Sequence, residues 1–123
     1  MKLSMRFLLV AVLYGALGML MGIIMGAKGD FTLAPVHAHL NLLGWVALTI
    51  YGLTYQVFPA MAASKLARVQ FYSVNLGVIL LIPSLALVLL ENTAALPTLI
   101  VGELLVFISL LLFFANLWAH RNA

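Results

Sequence analysis

Residues 35–59 read PVHAHLNLLGWVALTIYGLTYQVFP, from Pro35 to Pro59. No Asp, Glu, Lys or Arg interrupts this stretch. A helix needs roughly 20 apolar residues to cross the hydrocarbon core of a bilayer. The stretch therefore predicts a membrane-spanning helix, bounded by a proline at each end. Pro35 suits a first helical turn, where its missing N–H costs nothing.

Three further spans flank it. They run over about 7–26, 69–90 and 97–118, beside 35–59 itself. The links Ala27–Ala34, Ala60–Arg68 and Glu91–Leu96 are short, so sequential helices should be neighbours. The expected fold class is all-α: a polytopic membrane protein with four transmembrane helices, forming a single domain over residues 1–123. The first span follows Lys2 and Arg6, as a signal peptide would. It is too long for a typical signal core and lacks a small-residue cleavage site.

Composition supports the membrane reading. Hydrophobic residues make up 66% of the 123 residues and charged residues 7%. Ordinary soluble domains are roughly half apolar and about a quarter charged. A free-standing soluble globule is excluded. The net charge of +3 comes from six scattered cations, so nucleic-acid binding is not expected. Cysteine is absent, which removes disulfides, thiolate metal sites and cysteine nucleophiles.

Charge also sets an expected orientation. With the N-terminus inside, Lys2, Arg6, Lys65, Arg68 and Arg121 face the cytoplasm, while only Lys28 lies outside, with Asp30 and Glu91. Cytoplasmic loops concentrate Lys and Arg. Both termini should be cytoplasmic, in the inner (plasma) membrane of a bacterium, and the second helix should run from outside to inside.

Gly18, Gly22 and Gly26 recur at four-residue spacing on the first helix, with Gly15 close to the same stripe. Small residues at this spacing let helices approach closely in lipid, within a subunit or between subunits. Met19, Met21 and Met25 interleave with them. They suit adaptable apolar packing better than copper ligation. Pro83 falls inside the third span and should kink it.

Polar groups inside a bilayer are costly and usually mark function. The densest set is His37-Ala38-His39-Leu40-Asn41, followed by Gly44 and Trp45. At about 100° per residue, the two histidines point about 200° apart. They cannot share one metal from one side of the helix, but they can serve two sites. The His37 side should carry Asn41, Gly44, Leu48, Gly52 and Tyr55. The His39 side should carry Leu43, Val46, Ile50 and Leu53. A flat macrocycle needs apolar walls, room for its edge and an axial imidazole. Glu103 lies roughly 9 Å into the fourth span, at about the depth of His39 and Asn41. It could orient an imidazole or carry a proton. His120 lies at the opposite face and reads as a solvated terminal residue.

His37-Ala38-His39-Leu40 on an outside-to-inside helix resembles the catalytic subunit I of the heme-copper oxidase superfamily, cytochrome c oxidases and nitric oxide reductases. His39-Leu40-Asn41-Leu42-Leu43, then Tyr51-Gly52, Tyr55, Val57 and Pro59, is similar to the second helix of nitric oxide reductases. That helix supplies an axial ligand to low-spin heme b. The resemblance covers Pro35–Pro59. The family arranges its helices in three arcs of four, and this chain looks like one arc.

The resemblance implies a homotrimer, with a homodimer as the alternative. It implies heme b bound between subunits, with iron ligated by His37 of one copy and His39 of the next. Asn41, Gly44, Tyr55 and Glu103 would complete the cofactor site. An electron donor and acceptor are implied but unidentified. The family's copper site needs three gathered histidines, which this chain lacks, so no catalytic residue is assigned. The expected function is a redox-active heme b protein. The alternatives are a minimal oxygen or nitric oxide reductase, a heme-free copper site, and a structural membrane subunit.

Overall fold

A computed structural model describes residues 1–123. It is helical throughout, without strands. Four helices are long and apolar enough to span a membrane: α1 (Leu3–Lys28), α2 (Ala34–Val57), α3 (Lys65–Leu89) and α4 (Thr93–Ala119). α1 and α4 extend past both ends of the apolar cores expected from sequence, while α2 and α3 start earlier but stop at Val57 and Leu89, short of the expected Pro59 and Leu90. Helix ends follow capping rather than hydrophobicity. Gly29 closes α1 in the left-handed conformation, φ 64°. Pro35 occupies the first turn of α2. The Ser64 hydroxyl accepts from Ala67 N at 3.2 Å and starts α3. Between α2 and α3, Pro59–Ala62 forms one helical turn.

The helices run antiparallel. The start of α1 meets the end of α2 through Ser4 Oγ, which donates to Gln56 Oε1 at 2.8 Å. The end of α4 meets the α2–α3 link, where Asn116 Nδ2 donates to Met61 O at 3.1 Å. Lys2, Arg6, Lys65, Arg68 and Arg121 therefore share one end of the bundle. Asp30 and Glu91 lie at the other, with Lys28.

The core lies toward the cationic half. Phe7 of α1 packs at 5.3 Å from Tyr55 of α2 and 5.0 Å from Phe71 of α3, ring centre to ring centre. Tyr51 of α2 lies 4.7 Å from Phe113 of α4. Every helix contributes a ring, and such pairs add about 0.5–1.5 kcal/mol each beyond area burial.

α3 and α4 approach backbone to backbone. A Cβ on Gly102 would stand 2.7 Å from Leu81 N, and one on Gly77 would stand 2.9 Å from Val106 N. The Ser73 hydroxyl crosses the same gap and donates to Leu105 O at 2.8 Å. Pro83 sits within an unbroken α3, where the Ser84 hydroxyl donates to Leu80 O and Leu81 O. The outer faces are apolar on all four helices, including Ile23, Val57, Ile79 and Phe107. Soluble monomers rarely expose contiguous apolar surface of this kind. With four spanning helices, the chain is a membrane protein.

Candidate functional site

α2 is not a uniform α-helix. Residues Leu40–Val46 are wound as a π-helix, with i→i+5 hydrogen bonds. Each turn there holds more residues than the 3.6 of an α-helix. The side-chain files expected from a 100° projection shift as a result.

One file faces α1. His37, Asn41 and Trp45, each four residues on, pack over Gly22, Gly18 and Gly15. A Cβ would stand 2.8 Å from His37 Cε1 at Gly22, 2.6 Å from Asn41 Oδ1 at Gly18, and 2.8 Å from Trp45 Cδ2 at Gly15. The glycine stripe thus seats three large α2 side chains inside one subunit. Gly26, expected in that stripe, meets nothing within 4 Å. Trp45, not expected on the His37 side, joins it, while Gly44, Gly52 and Tyr55, expected there, do face α1. Gly44 lies under Tyr14 of α1, where a Cβ would stand 2.8 Å from Tyr14 Cβ.

Inside this seam His37 Nδ1 lies 2.7 Å from Gly18 O. A carbonyl only accepts, so Nδ1 carries a proton, and in the neutral ring Nε2 is the nitrogen that keeps a lone pair. Asn41 Nδ2, 3.1 Å from the same ring nitrogen, then cannot donate to it. It donates to His37 O at 2.9 Å. Asn41 is thereby fixed beside the imidazole, and His37 is half-buried.

The second file faces away from α1. His39, Leu43, Ala47 and Tyr51 line a groove of about 440 Å³ with Val74 and Leu81 of α3, and Glu103, Val106 and Phe107 of α4. The π turn brings Ala47 and Tyr51 into this file. Val46, Ile50 and Leu53, expected there, face outward instead. His39 Nδ1 lies 2.6 Å from Pro35 O, one turn back. That ring likewise donates from Nδ1, so its Nε2 is the nitrogen left to bind a metal in the neutral ring.

Glu103 and His39 thus share a groove, as their equal depth suggested. The hydrogen-bond acceptor that orients the His39 ring is Pro35 O, not the carboxylate. Comparison of the chain with protein-family models, with curated protein sequences and with solved structures finds no match.

The remaining candidates are dispersed. Tyr55 lies about 27 Å along α2 from His37 at 1.5 Å per residue. It is buried and its hydroxyl donates to Gln70 Oε1. His120 Nδ1 lies 2.9 Å from Asn116 O, at the cationic end. No three His, Asp or Glu side chains gather closely enough to hold a metal ion. Met25 is buried while Met19 is exposed, so the methionines do not form one ligand set.

Sequence reasoning missed the buried amides. Gln70 and Asn116 have no exposed surface, and Gln70 Nε2 and Asn116 Oδ1 have no hydrogen-bond partner. Gln70 stands near the start of an apolar span, where a polar residue reads as rim. Nothing in the local sequence signals that its side chain turns inward to Tyr55. Tyr51 was legible as a helix residue, but only the π turn places it in the His39 groove.

Proposed function

We propose that the chain is a small membrane cytochrome that binds heme b through histidine nitrogen and carries single electrons. The observation that carries this is the state of His39. Its Nδ1–H is held by Pro35 O, and the ring borders an apolar groove of about 440 Å³. Metal-ligating histidines usually donate the other ring N–H to a carbonyl or carboxylate, which fixes the tautomer and raises basicity. His37 has the same arrangement with Gly18 O.

The residues fit the group. Leu43, Ala47, Val106 and Phe107 would wall a macrocycle and exclude water, with His39 as axial ligand. Asn41 would steady His37. Heme b supplies one-electron redox chemistry when bound, and two imidazoles would saturate its iron. Glu103 is the one carboxylate bordering the groove and could hold a proton there.

His37 and His39 leave α2 in different directions, so one copy does not bring both to one iron. The similarity of Pro35–Pro59 to heme-copper oxidase subunits supports a homotrimer. In it, His37 of one copy and His39 of the next would bind each heme. Cation asymmetry supports a plasma-membrane orientation with both termini cytoplasmic.

The test is an optical spectrum of protein purified after heme supplementation, oxidised and reduced. A Soret band that is absent from His39→Ala supports the proposal. No Soret band in the parent protein overturns it. Mass measurement in detergent separates trimer from dimer. A full spectral shift of the reduced protein with carbon monoxide would replace electron carriage with ligand chemistry at an open iron.

A further inference from the structure

A second groove lies at the cationic end, on the far side of the molecule from His37 and His39. Phe58 and Met61 from the α2–α3 link, with Phe114 and Trp118 of α4, form its apolar lining. His120 and Arg121 border it, and its volume is about 410 Å³. Another apolar groove, between α1, α2 and α3, is of similar size, about 450 Å³, but carries no charged residue. A smaller groove bordered by Lys2 is lined half by polar residues and Pro59, so the more apolar groove with a cationic border is the first.

Arg121 is held in place there. Its guanidinium lies 4.3 Å above the Trp118 ring, and Nη1 donates to Trp118 O at 2.7 Å. His120 Nδ1 similarly occupies Asn116 O. The last carbonyls of α4 would otherwise present the negative end of the helix dipole. Here two of them are covered by positive or donating groups. One of the five guanidinium N–H donors is used, which leaves a fork suited to a phosphate. No side-chain carboxylate competes at this end: Asp30 and Glu91 lie at the opposite end, and Glu103 borders the His39 groove.

We propose that this groove binds one anionic phospholipid. An acyl chain lies along Phe58, Met61 and Phe114, and the phosphate sits on Arg121 beside His120. Lys2, Arg6, Lys65 and Arg68 share this end and draw anionic lipid toward it, each by about 1 kcal/mol at a charged surface. That attraction is diffuse. The stacked arginine above an apolar groove turns it into a site for one molecule.

The experiment uses the full chain in vesicles of phosphatidylcholine containing palmitoyl-oleoyl phosphatidylglycerol. The protein is extracted in mild detergent and its retained lipid is counted by native mass spectrometry. One phosphatidylglycerol should remain per chain, preferred at least tenfold over phosphatidylcholine. Arg121→Gln should abolish the preference. Arg121→Lys, which keeps the charge but loses the fork and the stacking, should weaken it severalfold. Lys65→Gln should leave it unchanged. Both residues are exposed, and retained helicity by circular dichroism checks folding. Unchanged retention in Arg121→Gln overturns the site. So does an equal loss in Lys65→Gln, because only a diffuse field would then be acting.

Discussion

Gly102→Ala tests how α3 and α4 are held. The added Cβ would meet Leu81 N at 2.7 Å, Gly77 O at 3.0 Å and Leu81 Cα at 3.0 Å. All three are backbone atoms, so no side chain can swing away. Ordinary contact begins near 3.4 Å, so α4 must retreat by about 0.7 Å at this crossing. A gap of that size forfeits roughly a quarter to a half of the dispersion attraction of each stretched contact. Overpacking of this kind costs about 1–3 kcal/mol. The Ser73–Leu105 bond, 2.8 Å long and on the same crossing, would stretch as well. Against this, alanine is better than glycine in a helix by up to about 1 kcal/mol.

The net expectation for Gly102→Ala is a loss of about 1–2 kcal/mol. Gly26→Ala is the control. It meets nothing within 4 Å and should gain stability from helix propensity alone. Reversible unfolding in mixed detergent and dodecyl sulfate micelles, followed by helicity, measures both. Equal stability of the two variants would refute the argument that backbone contact sets this crossing.

Three other outcomes follow from the structure. Tyr55→Phe strands Gln70 Oε1 in a site with no exposed surface and should cost about 1–3 kcal/mol in the same assay. Adding Gln70→Leu should recover part of that loss, and strict additivity of the two changes would show that the pair does not interact. Gly22→Ala places a Cβ 2.8 Å from His37 Cε1 and should push the ring off Gly18 O. If His37 ligates heme, the Soret maximum of the loaded protein shifts, whereas Gly26→Ala leaves it in place. Finally, Asp30 Oδ1 accepts from Thr32 Oγ1 at 2.7 Å and from Thr32 N at 3.1 Å, which holds its carboxyl below the usual range. Folding therefore favours the charged form. The contribution is whole at neutral pH and falls away as pH drops below about 4, through the lowered folded value. Asp30→Asn should be the less stable at pH 7, and the difference should close at low pH.

The membrane class and the four helices were legible because length and hydropathy are local properties. Pro35 at the start of α2 needed no tertiary knowledge. The back-to-back directions of His37 and His39 were also legible, since both precede the π turn. What lies beyond it was not. A 3.6-residue period assigned Gly44 to the His37 file and Val46 and Ile50 to the His39 file. The structure keeps Gly44 against α1 and adds Trp45 there, but puts Ala47 and Tyr51 in the His39 groove in place of Val46 and Ile50. Hydrophobic periodicity could not reveal this, because nearly every residue from Leu42 to Leu53 is apolar on all sides. The shared depth of Glu103 and His39 came from counting residues. Their shared groove depends on how α4 lies against α2, which no spacing within one helix encodes. The glycine stripe pointed to close packing, but its occupants come from another helix.

The π segment has a further consequence. A single wide turn is geometrically an α-helix carrying one surplus residue. The half of α2 that bears the histidines and the half that bears Tyr51 and Tyr55 are therefore rotated relative to each other by that residue. Removing one residue between Leu42 and Val46 would restore regular winding and leave the two halves almost where they stand, because eleven α-helical steps of about 100° end within about 20° of three full turns. His39 and Tyr51 would still border one groove, whereas winding the present residues as a regular α-helix without removing any would set them about 120° apart. In α2 the wide turn, as much as the identity of the residues, keeps the site together.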